Sequence, residues 1–385
     1  MLTVSSGGAQ APAAPLRAAQ PGDVPPGAPE SLDKIPIALL VEFGSGQTLL
    51  AREADRRFIP ASITKVMTAY VAFELIEGGE LALDTRFTMS EAAAEEWHRT
   101  GSTMFLDEGD TASVADLLRG IAGVSANDGA IVLAEGAAGS VANWLDMMNA
   151  QARALGMRDS HFGTPNGWPD GGRTFTTARD LEKLARAMIR RHPRKFARFF
   201  GQPGFAYNGI AQANRDPISG VLEGADGIKT GFTRQAGNGF LGTAMRDGRR
   251  LLMVVAAVDR ASERNRAARD LMEWGFDNFE QRRIYARGEA IGSARVQDGD
   301  SPRVGLVAAE PVDAAMPSGQ AGPVKLAIRY EGPLRAPIAA GERVAQLEVT
   351  IGDLAPYRVP LAAQNDVPKA SPWQRLMNGL AEMFG

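Results

Sequence analysis

The chain has no cysteine in its 385 residues, which excludes a thiol nucleophile, a structural zinc ribbon and a disulfide framework. Histidine is almost as scarce: there are three, namely His98, His161 and His192. None stands in a His-Glu-x-x-His or other metal-ligand spacing, so neither a metal nor another cofactor is expected. So few histidines do not forbid a Ser-His-Asp triad, but no pattern points to one. Excess charge is missing too. A formal net charge of −3 and a pI near 5.8 leave no global basic surface, and nucleic acid is not expected as a partner. There is no continuous apolar run of the kind that forms the heart of a secretory signal. Residues 1–33 are rich in Ala, Pro, Gly and Gln without periodicity and read as a disordered leader or signal remnant. Within them Ala9-Gln10-Ala11 has the form of a small-residue cleavage site, so the sequence is expected to begin inside or beyond a longer signal peptide.

What is present is organised around Pro60-Ala61-Ser62-Ile63-Thr64-Lys65. In a helix, residues three apart share a face, so the Lys65 amine reaches back to the Ser62 hydroxyl. The run from Val66 to Ile76 is apolar almost all round and stops at Gly78-Gly79, as in a helix buried in the core. A serine at its head would sit where core meets cleft, as a nucleophile whose base is a lysine; a helix cap beside a surface lysine is the alternative. Ser31-Leu32-Asp33-Lys34 has the same spacing but no helix to align it.

Around this stretch the pattern is β for Ile35 to Glu42 and Thr48 to Arg52, with a turn at Gly44-Ser45-Gly46. It is mostly helical to about residue 195, with Ser113 and Ser140 as caps. It is β again at Gly227 to Thr230, Gly239 to Met245 and Arg250 to Val258, the last two joined by Asp247-Gly248. A helix from about Ala261 to Trp274 closes the unit. One antiparallel sheet built from both ends of the domain, with helices inserted between, is the expected α/β (α+β) fold. After about Phe279, short alternating apolar runs such as Val324 to Tyr330 fit a small all-β sandwich. At the C-terminus, Trp373, Leu376, Met377, Leu380, Met383 and Phe384 share one face of an amphipathic helix of about 14 residues, too short to span a bilayer. It suits either the membrane interface or packing on the β domain.

Two further motifs complete a serine acyl-transfer set. Ser125-Ala126-Asn127 is the only Ser-x-Asn in the chain, and Lys229-Thr230-Gly231 is the only Lys-Thr-Gly. Taken singly, Ser125 reads equally as a cap with Asn127 in a turn, and Lys229 as a solvated strand charge. In order, and each on a suitable element, the three resemble the triple motif of penicillin-recognising serine enzymes. The extended run Asp226-Gly227-Ile228-Lys229-Thr230-Gly231 is similar to that of low-molecular-mass penicillin-binding proteins, the serine-type D-alanyl-D-alanine carboxypeptidases.

The resemblance implies a serine β-lactamase/transpeptidase-like DD-peptidase domain over 34–277, a β-sandwich stalk over 278–366 and an amphipathic anchoring helix over 367–385. It implies a periplasmic enzyme of cell-wall metabolism, attached peripherally to the bacterial inner membrane through that helix. The enzyme would remove the terminal D-alanine from peptidoglycan stem pentapeptides and be acylated by β-lactams. Ser62 would be the nucleophile and Lys65 its base, with Ser125 relaying a proton and Asn127 orienting Lys65. The N–H groups of Ser62 and Phe232 would form the oxyanion hole. Lys229, Thr230 and Gly231 would receive the substrate, with Arg264 and Arg215 near its carboxylate; Gly231 would let the substrate backbone approach. Two positions depart from the pattern: Ala126 stands where glycine is common, and Phe232 where many relatives carry histidine. A DD-endopeptidase, a β-lactamase and a non-catalytic peptidoglycan-binding module are the alternatives. The glutamate nearest to a β-lactamase base is Glu182, which lies in a predicted helix.

Overall fold

The structure is a computed structural model and describes residues 2–4, 27–319 and 323–371. These divide into two compact units, one built on residues 27–43 and 50–275, the other on 2–4, 44–49 and 276–371.

The first unit holds a five-stranded sheet made of β1 (Ile37–Glu42), β2 (Thr48–Arg52), β3 (Ala225–Thr233), β4 (Gly237–Arg246) and β5 (Arg249–Val258), in the order β2-β1-β5-β4-β3. Strands from the two ends of the domain pair antiparallel where β5 meets β1, Val254 opposite Leu39. Both of these strands are buried, β1 at every position, which is why their sequences run continuously apolar instead of alternating. The β4–β5 turn places Asp247 at φ 50 and Gly248 at φ 79, the primed turn that an Asp-Gly pair favours. β3 is the edge strand of the sheet.

Helices fill the interval between β2 and β3. Chief among them is α1 (Lys65–Glu77), whose residues from Lys65 to Phe73 are all buried. Each large apolar side chain so enclosed contributes about 1.5–3 kcal/mol. The helix expected to begin at Ser62 instead begins at Lys65: Ala61–Thr64 form a tighter 3-10 turn ahead of it. In that geometry residues three apart eclipse, so Ser62 and Lys65 still align. Next come α2 (Val114–Arg119), a π-helical turn Gly120–Val124, α3 (Asn127–Ala138), α4 (Val141–Ala154) and α5 (Ala178–Arg191). Ser113 and Ser140 cap α2 and α4 through their hydroxyls. After the sheet, α6 (Ala261–Asp277) ends the unit.

In the second unit seven strands form one sheet, Leu2–Val4 pairing parallel with Val324–Arg329 at one edge, and Phe279–Tyr285 pairs with Val312–Pro317 as a separate ribbon. The expected sandwich of two sheets is thus one large sheet and one ribbon. They share a core that includes Leu306, Val312, Ala314 and Leu347. Val367 and Lys369 still bridge to this unit. The amphipathic C-terminal helix expected in 367–385 falls, from residue 372, outside the described residues.

Candidate active site

Proline at position 60 (φ −72) and Ala61 in the left-handed region (φ 49) swing the chain sharply into the 3-10 turn that carries Ser62. For a residue with a Cβ that conformation costs about 1–2 kcal/mol. Two glycines give the turn its room. A Cβ at Gly167 would lie 1.9 Å from Ala61 O, and one at Gly231 would lie 2.4 Å from Pro60 O. Gly231 is therefore required by the packing of β3 against the turn that holds Ser62, a reason distinct from the substrate approach that the sequence suggests.

Lys65 opens α1 and is 1% exposed. Its Nζ lies 2.7 Å from Asn127 Oδ1, 2.7 Å from Asn166 O and 3.1 Å from Ser62 Oγ. Burial holds the amine well below its ordinary pKa, the Lys229 ammonium pushes it lower, and the Asp128 carboxylate opposes both. A neutral amine has two N–H groups and one lone pair. Two carbonyl oxygens occupy the N–H groups, so the lone pair is left for the Ser62 hydroxyl to donate into.

Ser125 closes the π-helical turn Gly120–Val124 with φ 66 and ψ 33, a left-handed serine held in place by the helices on either side. Ala126 is fully buried at φ −53 and packs its methyl toward Gly120 and Gly129. That conformation makes no demand for glycine, so the substitution costs the motif nothing. Asn127 begins α3. Its N–H donates to Ser102 O at 2.7 Å and its Nδ2 to Thr100 O at 3.0 Å.

Across the cleft, Lys229 is buried, and its pKa falls to about 7 through burial and the nearby Arg215 and Arg264 charges, with Asp216 opposing. Arg264 is buried as well; it donates to Gly239 O at 2.8 Å and to Asn265 Oδ1 at 2.7 Å, and burial brings its pKa down to about 10. Arg215 is exposed and reaches Ser102 Oγ at 3.4 Å. Phe232 is 60% exposed, so its side chain turns outward from the strand.

All ten residues singled out in the sequence are brought together, Lys65 buried against Ser62 and Asn127. The other nine line one cleft of about 950 Å³. Asn166, Trp168, Ser102 and Asn238 line it too and carry no signal in the sequence. Asn166 sits in Thr164-Pro165-Asn166-Gly167-Trp168, which reads only as a turn, yet its backbone oxygen holds the Lys65 amine. Trp168 packs edge-on against Trp97 with ring centroids 5.7 Å apart. Among the described residues no Asp or Glu lines the cleft. Glu182 is engaged with Arg186 within α5. No group of residues suited to hold a metal occurs among the described residues.

A family model described as D-alanyl-D-alanine carboxypeptidase matches residues 33–259, and one described as the penicillin-binding protein 5 C-terminal domain matches residues 279–369. The D-alanyl-D-alanine carboxypeptidase DacD of Escherichia coli (strain K12) is 34% identical over 346 residues, 88% of each chain. Among solved structures, penicillin binding protein 5 from Haemophilus influenzae is similar with a TM-score of 0.77 at 32% identity, over 87% of this chain and 98% of that one. Penicillin-binding protein D2 from Listeria monocytogenes, in its ampicillin-bound form, is similar with a TM-score of 0.57 at 30% identity, over 63% of this chain and 97% of that one.

Proposed function

This chain belongs to the D-alanyl-D-alanine carboxypeptidase family, and we propose that it removes the terminal D-alanine of peptidoglycan stem peptides through an acyl-enzyme on Ser62. The observation that carries the assignment of roles is the Lys65 amine, buried, with both N–H groups on carbonyl oxygens and Ser62 Oγ at 3.1 Å.

Ser62 gives its proton to the Lys65 lone pair as Oγ attacks the carbonyl between the two D-alanines. Negative charge then develops on the carbonyl oxygen, toward which the N–H groups of Ser62 and Phe232 are assigned as donors. Preorganised donors of this kind are worth about 2.7–4 kcal/mol each. The proton passes by way of Ser125 to the leaving amine, the C–N bond breaks, and D-alanine departs. Water then attacks the acyl-Ser62 ester, with Lys65 as base. The substrate's free carboxylate meets Lys229 and Thr230, with Arg264 and Arg215 behind them. The unpaired edge of β3 lies open to an extended peptide. Anionic β-lactams enter the same cleft and acylate Ser62. With no carboxylate among the described residues of the cleft to activate water against the bulky adduct, a long-lived penicilloyl-enzyme is expected.

We infer a periplasmic setting, with the segment from residue 371 onward attaching peripherally to the inner membrane, since Val367 and Lys369 pair with the β-rich unit. The apolar face of that segment supports this reading. No helix among the described residues is long and apolar enough to cross a membrane.

Release of D-alanine from a Lys-D-Ala-D-Ala peptide tests the proposal. Ser62→Ala is expected to lower release by at least about 10³-fold, and amidation of the peptide C-terminus to weaken KM strongly. Cleavage of cross-linked stems in preference to the free peptide would replace the carboxypeptidase reading with an endopeptidase.

A further inference from the structure

One buried carboxylate beside the site has no part in the steps above. Asp128 follows Asn127 in α3 and is 0% exposed. What its carboxylate receives is backbone: Met104 N at 3.0 and 3.1 Å, Leu106 N at 3.1 Å and Gly129 N at 2.8 Å. Between the first two donors Phe105 takes φ 63, a conformation that costs about 1–2 kcal/mol outside glycine. It turns two alternate N–H groups into one concavity, an anion nest, and the Asp128 carboxylate fills it.

The strap so held, residues 100–106, also carries the two carbonyls that fix Asn127, Ser102 O on its N–H and Thr100 O on its Nδ2. A carbonyl can only accept, so Thr100 O takes the nitrogen end of the Asn127 amide and leaves the oxygen end for Lys65. We propose that Asp128 is a positioning residue of the acyl-transfer site: it clamps the 100–106 strap to α3 so that Asn127 presents oxygen, not nitrogen, to the Lys65 amine. This rests on the reading of Lys65 as the base.

The same carboxylate is a fixed charge near that base. The charged groups facing Lys65 are Lys229 from β3, which disfavours its ammonium, and Asp128 from α3, which favours it. Burial in turn raises the Asp128 carboxyl above its usual range, while its three backbone partners and Lys65 draw it back.

Two variants separate the clamp from the charge. Asp128→Asn keeps the shape but turns an NH₂ toward backbone N–H groups and removes the anion. Penicillin acylation at the pH optimum is expected to fall at least about tenfold. The acid limb of its pH profile is expected to move to lower pH, because without the nearby anion the Lys65 ammonium gives up its proton more readily and the neutral base persists further into acid. Gly101→Ala leaves Asp128 in place but sets a Cβ 2.8 Å from Asn127 Nδ2 and from the Trp168 ring. It is expected to lose acylation with the acid limb unmoved. An Asp128→Asn protein that loses only melting temperature, with rate and limb as in the wild type, would overturn the proposal, as would a Gly101→Ala protein that acylates at the wild-type rate. Absence of any Ser62 adduct in the wild type would overturn the reading of the site instead.

Discussion

At the scale of single residues, the account turns on two amines with lowered pKa values and opposite duties. Lys65 must be neutral to accept the Ser62 proton, so acylation rises with pH through its pKa. Lys229 must be charged to hold the substrate carboxylate, and in the free protein that charge fades as pH rises through about 7. The alkaline limb in kcat/KM is therefore centred near pH 7. In kcat it lies higher, because the bound carboxylate restores the ammonium. Steady-state kinetics on the peptide across this range check the point, and coincident limbs in the two parameters would contradict it. Lys65→Met, which removes the base, is expected to cost at least about 10³-fold in acylation. For Phe232 the proposal assigns a role to the backbone N–H and none to the exposed side chain. Phe232→His is accordingly expected to change the acylation rate by less than about tenfold.

Elements carry the precision that residues alone lack. The turn Pro60–Lys65 is pressed against β3 at Gly231, where a methyl would fall 2.4 Å from Pro60 O. Gly231→Ala forces strand and turn apart, at a cost of about 1–3 kcal/mol, which lowers the melting temperature by about 2–4 °C per kcal/mol. Acylation is expected to fall by more than tenfold, since the Ser62 turn and the Phe232 N–H move together. Ser113→Ala is the contrasting case. It removes the cap of α2, destabilises by about 1 kcal/mol, and leaves acylation unchanged.

The same contrast explains what was legible in the sequence. The buried α1, the Asp247-Gly248 turn and the Ser113 and Ser140 caps obey local rules of periodicity and turn chemistry, and the three motifs stand out by their order and spacing. The strap 100–106 and the Asn166 loop obey no such rule. Their roles rest on backbone carbonyls, which every residue has, aimed at partners distant in sequence: Asn166 O reaches Lys65 across 101 positions. The break between the 3-10 turn and α1 carries no local signal either, and there the turn packs on β3 at Gly231, far off in sequence. Glycine at 231 was visible, but its reason was not.

On the scale of the whole molecule, each of the two units contains its own core, and the proposed chemistry draws only on the first. On the proposed reading, the chain after residue 370 serves location and not catalysis. Deleting residues 371–385 is expected to release the protein from membranes into the soluble fraction with its peptidase activity intact. Retention in the membrane fraction would contradict the anchoring role.

The most direct measurement is the intact mass of the protein after incubation with penicillin, followed by peptide mapping of the adduct and a parallel assay of D-alanine release. The account predicts one penicilloyl group per chain, on Ser62, persisting over many peptide turnovers and blocking D-alanine release in proportion to its occupancy. An adduct mapped to any other residue, or D-alanine release that continues at full rate when Ser62 is occupied, would contradict it.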